Sequence, residues 1–226
     1  MIRDHKTLVV IPAYNAARYL PELLDRLGCV WSLNDCLVVD DGSVDDTPAL
    51  LSSAGANFIR FKNNRGKGAA LRAGLSWARD NGYRTIVTLD ADLQHRPEEL
   101  PSLLNAHHRS QAAATVGSRF PGASEMPWPR QISNCLTSLA LSLTAGQRIR
   151  DCQCGFRALD VSAALTAAPR ECGFMYESEL LFRLCAAGAP VAEAPISAVY
   201  QGQPSSIRPA RDTLRFLRLL WRRFWY

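Results

Sequence analysis

Asp90 and Asp92, one residue apart, close a strand-like apolar run and lead into Gln94 and His95 within "VTLDADLQHRPEEL", Val87 to Leu100. Two like charges so close repel unless a cation lies between them. Carboxylates suit a hard divalent ion, and Mg²⁺ typically takes one or two of them plus substrate phosphates. An isolated D-x-D is also what a solvated turn looks like, so the pair gains meaning from its company. "DDGSVDDT" ends another apolar run in Asp40 and Asp41, with Gly42 for a tight turn and Thr47 or a nearby aspartate to cap a helix. Carboxylates at a strand end can hold a ribose hydroxyl or a base edge. "NNRGKG" sets Arg65 and Lys67 among glycines at a helix start, where backbone and charge can meet phosphates. It lacks the GxxxxGK[ST] spacing of a Walker loop, and no GxGxxG follows the first strand, which argues against a dinucleotide-binding dehydrogenase.

These residues need a scaffold that gathers them. Leu8–Ile11, Leu37–Val39, Phe58–Phe61 and Ile86–Leu89 read as buried strands. Arg18–Leu27, Asp46–Ala54 and Gly66–Asn81 read as helices between them. This alternation predicts an α/β fold with a mostly parallel central sheet flanked by helices, and ligands beyond the carboxyl ends of the strands. "PAYNAA", "DDGSVDDT", "NNRGKG" and "DADLQ" all fall at such ends. Further on, Ala112–Val116 reads as a strand and "GSRFPGASEMPWPR" as an irregular, lid-like loop. Ile132, Leu136, Leu139 and Leu143 recur at helical spacing, a stripe that usually faces a core and could instead touch a surface. "DCQCGFRAL" reads as a strand-like turn, Tyr176–Ala187 as a helix and Val191–Val199 as a strand.

The chain has 226 residues, 47% hydrophobic and 21% charged, an ordinary globular composition. One catalytic domain over 1–206 followed by a helix over 207–226 is the expected division. Six arginines and one aspartate lie in 207–226, which accounts for the whole net charge of +5. A generally basic, nucleic-acid-coating protein is thereby excluded. The seven cysteines form no CxxC pair, and reduced cytosolic thiols are the expectation, with those flanking Gln153 as small packing residues. The N-terminus does not read as a signal peptide, and no run reaches the length of a membrane span.

With these motifs in this order, the chain resembles the family-2 glycosyltransferases of the GT-A fold. Within them it resembles the polyprenyl-phosphate branch, the dolichol-phosphate mannose and glucose synthases and their bacterial relatives. "VVIPAYNA", "VVDDGSVDDT", "NRGKGAALRAG", "TLDADLQHRPEEL", "GSRF", "DCQCGFRAL" and "YESELLFRLCAAG" carry the resemblance across most of residues 7 to 199. It implies that Pro12, Tyr14 and Asp41 line the nucleobase and ribose pocket with Asp40 in support. It further implies that Asp90, Asp92 and Gln94 hold Mg²⁺ or Mn²⁺ on the donor diphosphate, with Lys67 nearby. Arg119 and Arg130 would bind donor or acceptor phosphate, and Asp151 and Arg157 would sit near the transferred sugar. Ala16 departs from the Y-N-E that the family often shows, which bears on donor identity. "DCQCGF" leans toward the glucose-phosphate branch, and the absence of QxxRW argues against a processive polysaccharide synthase.

The expected reaction moves a sugar from a UDP- or GDP-linked donor to a polyprenyl phosphate or another lipid acceptor. A phosphate monoester is largely ionised near neutrality and can attack unaided, whereas a hydroxyl needs a base. Arg119, Arg130 and Arg157 are the cations expected to bind the acceptor phosphate. Asp151, Glu177 and Glu179 are the candidate bases for a saccharide or lipid hydroxyl, and the two glutamates could equally cap their helix. The resemblance implies inversion at the anomeric carbon. The tail points to lipid independently: Arg211, Arg215, Arg218 and Arg222 form one stripe, opposite Leu214, Leu217, Leu220, Trp221, Phe224 and Trp225. That is the pattern of an amphipathic interfacial helix, Pro209–Tyr226, on anionic lipid, and a helix packed on the domain is its rival. A peripheral position on the inner face of the cytoplasmic membrane follows. His5, His95, His107 and His108 are expected on the surface. Rival classes are a catalytically silent nucleotide-sugar-binding or adaptor protein and a nucleotidyltransferase.

Overall fold

Runs of Val, Leu and Ile leave a strand no polar face, so such strands belong inside a sheet covered on both sides. The computed structural model describes residues 6–119, 128–173, 175–197 and 199, without the side chains of Pro129 and Arg130. In it β1 (Thr7–Ala13) lies between β2 (Cys36–Asp40) and β4 (Thr85–Thr88), parallel to both. β3 (Asn57–Arg60) adds to β2. Beyond β4 come β6 (Arg157–Asp160), antiparallel to its neighbours, then β5 (Ala114–Ser118) and β7 (Val191–Pro195), giving the order β3-β2-β1-β4-β6-β5-β7. β3 corrects an expectation. It is the edge strand, and Phe58 is 44% exposed rather than buried.

Helices α1 (Leu20–Gly28), α2 (Thr47–Ser53), α3 (Lys67–Asp80) and α4 (Leu100–Ser110) follow the first four strands. α1 buries Leu20, Leu23, Leu24 and Leu27, one stripe at i, i+3, i+4, i+7. α4 has the same stripe, Leu100, Leu103 and Leu104 completed by His107. His107 is therefore buried, not on the surface, with its Nδ1 3.0 Å from Thr115 Oγ1. Burial pushes its imidazole down to about 4, so it stays neutral at neutral pH.

α5 (Trp128–Ala145), α6 (Val161–Ala167) and α7 (Met175–Ala186) complete the fold. Trp128, Pro129 and Arg130 thus begin a helix rather than end a loop. The rest of the proline-rich stretch, 120–127, and the tail 207–226 lie outside the described residues. Ile132, Leu136, Leu139 and Leu143 do share one face of α5, but that face is exposed and not core. All seven cysteines are free.

The topology explains where a ligand can go. β1 leads to β2 on one side, while β4 lies on the other, so the strand order reverses between β1 and β4. Their ladder ends at the pairing of Val10 with Thr88, and the chains then diverge toward Pro12 and Asp90. A crevice at such a reversal is the standard ligand position of open α/β sheets.

Candidate active site

The loop after β1 and the loop after β2 hold each other by local hydrogen bonds. Asn15 N–H donates to Ser43 Oγ (2.9 Å), Ala16 N–H to Thr47 Oγ1 (2.9 Å) and Val44 N–H to Asn15 Oδ1 (3.0 Å). Asn15 adopts φ +51°, a left-handed turn that asparagine tolerates well. These bonds fix Tyr14, which is 49% exposed, beside Pro12 at the mouth of the crevice. Asp40 is fully buried, accepts from Ser43 N–H (2.9 Å) and lies 3.3 Å from Arg60 Nε. Asp41 accepts from Arg65 N–H (2.7 Å) and Gly66 N–H (2.8 Å), one to each oxygen. It ties the end of β2 to the start of α3. Its two oxygens keep further lone pairs for a ligand.

The start of α3 departs from the expected phosphate cradle. Gly68 N–H (2.7 Å) and Ala69 N–H (3.3 Å) both donate to the Cys172 carbonyl. A Cβ on Gly68 would lie 2.7 Å from Tyr176 Cβ and 2.8 Å from the Cys172 carbonyl, so glycine here serves packing against a distant loop. That loop is held in turn by Arg72, which donates to the Pro169 (2.9 Å) and Glu171 (3.2 Å) carbonyls. Glu179 accepts from Arg170 N–H and Glu171 N–H at 2.8 Å each and from Arg183 Nε. Replacing Gly68 with alanine should therefore push the 172–173 turn off α3. We expect the unfolding midpoint to fall by about 5 °C and UDP affinity, read by calorimetry, to fall with it. An unchanged midpoint would show that the turn is not seated there.

Lys67 ends between two acids, with Nζ 2.7 Å from Asp90 Oδ1 and 2.8 Å from Glu177 Oε2. Burial alone would lower the ammonium's pKa, but Asp90 and Glu177 reverse this and raise it. Burial likewise pushes the Asp90 carboxyl up, and Lys67 more than offsets this and holds it down. Both groups are therefore charged. Asp92 Oδ1 accepts from Gln94 N–H (3.0 Å) across a turn that puts Leu93 at φ +59°, a strained conformation for a bulky side chain. Gln94 is buried behind this turn. His95 is buried as well, contrary to expectation, with its ring 5.7 Å from that of Phe156. Burial pushes it down to about 4.

Pro12, Tyr14, Asp41, Lys67, Asp90 and Asp92 share the wall of one cavity of about 520 Å³, with Ala16, Asn64 and Gly173. Asp151, Arg119 and Arg157 do not line it. Asp151 is fully buried and accepts four hydrogen bonds, from Arg119 Nε (2.7 Å), Nη2 (2.8 Å) and N–H (3.2 Å) and from Asn134 Nδ2 (2.7 Å). Burial pushes its carboxyl up, but these bonds win and hold it down, which makes it a poor general base. Arg157 corrects another expectation. It is 1% exposed, and it donates to the carbonyls of Cys152 (2.7 Å), Cys154 (2.6 Å) and Glu177 (2.7 Å). It shapes the 152–154 turn and docks α7, and with each of its three nitrogens engaged and almost no exposed surface it is turned away from the cavity. Arg130 sits in the first turn of α5, and its side chain lies outside the described residues.

Residues 8–165 match the family model described as glycosyl transferase family 2. The chain belongs to that family. It is 33% identical to an undecaprenyl-phosphate mannosyltransferase of Micrococcus luteus, covering 86% of this chain and 84% of the relative. It is 32% identical to a polyprenol monophosphomannose synthase of Mycolicibacterium smegmatis, over 85% of this chain and 77% of that one. Its fold matches glucosyl-3-phosphoglycerate synthase from Mycobacterium tuberculosis, solved with Mn²⁺ and UDP, at a TM-score of 0.72 and 21% identity, covering 95% of this chain and 77% of the other. This glycosyltransferase therefore has the GT-A architecture that its sequence implied.

The glycosyltransferase's own residues set what ion could join them. No group of three or more His, Cys, Asp or Glu side chains converges among the described residues. Asp90 already faces a stand-in cation, the Lys67 ammonium. Its second oxygen faces Gly155, where a Cβ would come within 2.3 Å, so glycine keeps that side open. A donor set this sparse fits a Mg²⁺-like ion that takes most of its shell from phosphate and water. Glu177, a candidate base in the sequence, is instead the partner of Lys67, and Glu179 fixes the 170–171 turn. Glu177 packs against an element 110 residues away, beyond the reach of local pattern reading.

Proposed function

We propose that the chain transfers a hexose from a UDP- or GDP-linked donor to a polyprenyl phosphate, with Mg²⁺ or Mn²⁺ at Asp90, Asp92 and Gln94. The observation that carries this reading is one cavity at the sheet's reversal point whose wall joins Pro12 and Tyr14 to the charged Asp41, Lys67, Asp90 and Asp92. The relatives named for undecaprenyl and polyprenol phosphates support the acceptor, and their names support mannose over glucose as the sugar. The expected division, 1–206 catalytic and 207–226 as an interfacial helix through Pro209–Tyr226, belongs to this proposal, as does a place on the inner face of the cytoplasmic membrane. Among the described residues no helix is long and apolar enough to cross a membrane.

In this reading Tyr14 and Pro12 offer apolar surface to the base, and Asp41, fixed by two N–H groups, accepts from the nucleoside. A bound divalent ion would neutralise charge that builds on the leaving diphosphate. Lys67 exchanges Asp90 for diphosphate oxygens while Glu177 keeps hold of its other side. An acceptor phosphate oxygen then bonds to the anomeric carbon as the bond to the diphosphate breaks with its electron pair, inverting the centre. No base is required, which suits an Asp151 whose oxygens are already engaged. Arg130 is assigned to the acceptor phosphate, while Arg119 and Arg157 act as positioning residues. A hydroxyl acceptor is the second reading, and the observation favouring it is the buried Glu177 Oε1, which has no hydrogen-bond partner among the described residues.

The test incubates protein with labelled UDP- and GDP-hexoses, Mn²⁺ or Mg²⁺, and undecaprenyl phosphate. Label should enter the organic phase and EDTA should abolish it. Intact nucleotide binding with no lipid-soluble label from any donor would overturn the reading.

A further inference from the structure

A helix on a water-facing surface normally turns its apolar side inward. α5 buries Leu141 but otherwise does the reverse. Asn134, Thr137 and Ser138 are buried, and they bond to the 151–153 segment: Asn134 Nδ2 to Asp151 (2.7 Å), Cys152 N–H to Ser138 Oγ (3.0 Å) and Gln153 Nε2 to Thr137 Oγ1 (2.9 Å). Trp128, Ile132, Leu136, Leu139 and Leu143 point away from the protein, 50% to 76% exposed. Their steps of four, four, three and four residues make one continuous stripe. Of the large apolar side chains of the helix Leu141 alone is buried, and water gives no reason to send the other five outward while Asn134, Thr137 and Ser138 take inward positions.

We propose that the outer face of α5 is a docking surface for an anionic lipid bilayer. The charge of the segment selects this occupant. From Trp128 to Arg150 the only charged residues are Arg130, Arg148 and Arg150, with no acid, and of these Arg150 lies 3.8 Å from Glu193. A second copy laid on the same face would meet like charge, and so would the arginine-rich 207–226. An anionic headgroup layer complements it, and the stripe matches the depth of an interfacial helix. The inner face of the same helix holds Asp151 and, through it, Arg119, so docking would set the catalytic end of the sheet against the membrane. The proposal rests on the reading that the acceptor is a membrane lipid.

The test uses the full chain, and vesicles of phosphatidylcholine and phosphatidylglycerol with and without undecaprenyl phosphate. Variants are Leu136→Glu with Leu139→Glu, and Leu143→Glu alone, each checked for an unchanged unfolding midpoint. Phe58→Glu, on the far edge strand, is the control. Vesicle pelleting and transfer to the embedded acceptor should fall at least about tenfold in the α5 variants and not in the control. Transfer to a water-soluble short-chain prenyl phosphate should stay within about twofold. Unchanged pelleting overturns the proposal, as does conversion of a wild-type dimer to monomer by the same variants. Loss of transfer to both acceptors in wild type would sink the function instead, and pelleting would still decide the docking face.

Discussion

Replacing Asp92 with alanine is expected to lower sugar transfer to undecaprenyl phosphate by about 10²–10³-fold, the usual cost of removing one electrostatic contact to developing charge. The fold should tolerate the change. The carboxylate spans a short turn to Gln94 N–H at the cavity wall, and losing one such bond costs about 1 kcal/mol. A midpoint shift of about 3 °C is the corresponding estimate. Calorimetry supplies the sharper readout. Wild-type protein should bind UDP more tightly with Mn²⁺ than without, and the variant should show no difference. If the variant keeps both the manganese effect and near-normal transfer, Asp92 is not part of the ion site. Asp90→Asn is the companion, because Lys67 then keeps Glu177 as its partner and folding is spared.

Arg157→Leu should act in the opposite way, on stability before chemistry. The guanidinium lies wholly inside the protein and serves three backbone carbonyls from two separate segments. Leucine can satisfy none of them, and it also removes the positive charge facing the buried acids. Stranded carbonyls and lost charge compensation together suggest a cost of about 3–5 kcal/mol. Against a total stability of about 5–15 kcal/mol this is severe. The unfolding midpoint should fall by about 10 °C, measured by calorimetry or circular dichroism. A variant of unchanged stability that has lost only acceptor affinity would restore Arg157 to the phosphate role.

The two arginines show what a sequence can and cannot reveal. Pro12, Tyr14, Asp41, Lys67, Asp90 and Asp92 were legible because each follows a strand or opens a helix at a place local pattern identifies. A parallel sheet then brings such places to one rim without further information. Arg119 and Arg157 have the right charge for phosphate, but their partners lie 32 residues and up to 20 residues away, and only the folded chain shows them engaged. β6 runs antiparallel, which no run of four residues announces. α4 is hard to read from sequence because its fourth inward position is a histidine, a residue that breaks the apolar stripe. α5 was readable as a helix, yet periodicity gives a stripe without saying which way it faces. The facing is set by tertiary contacts, the grip of Asn134 on Asp151 and of Ser138 on Cys152.

The seating of the Cys172 carbonyl on α3 has a practical consequence. The stretch by which the family is recognised ends at residue 165, upstream of both Cys172 and Glu177. A fragment trimmed to that boundary would retain every diagnostic motif but the last, "YESELLFRLCAAG", yet its third helix would begin uncapped and its central lysine would have lost one of two anchors. The minimal working unit of this enzyme therefore extends into α7, and the signature that identifies it is shorter than the piece that can bind.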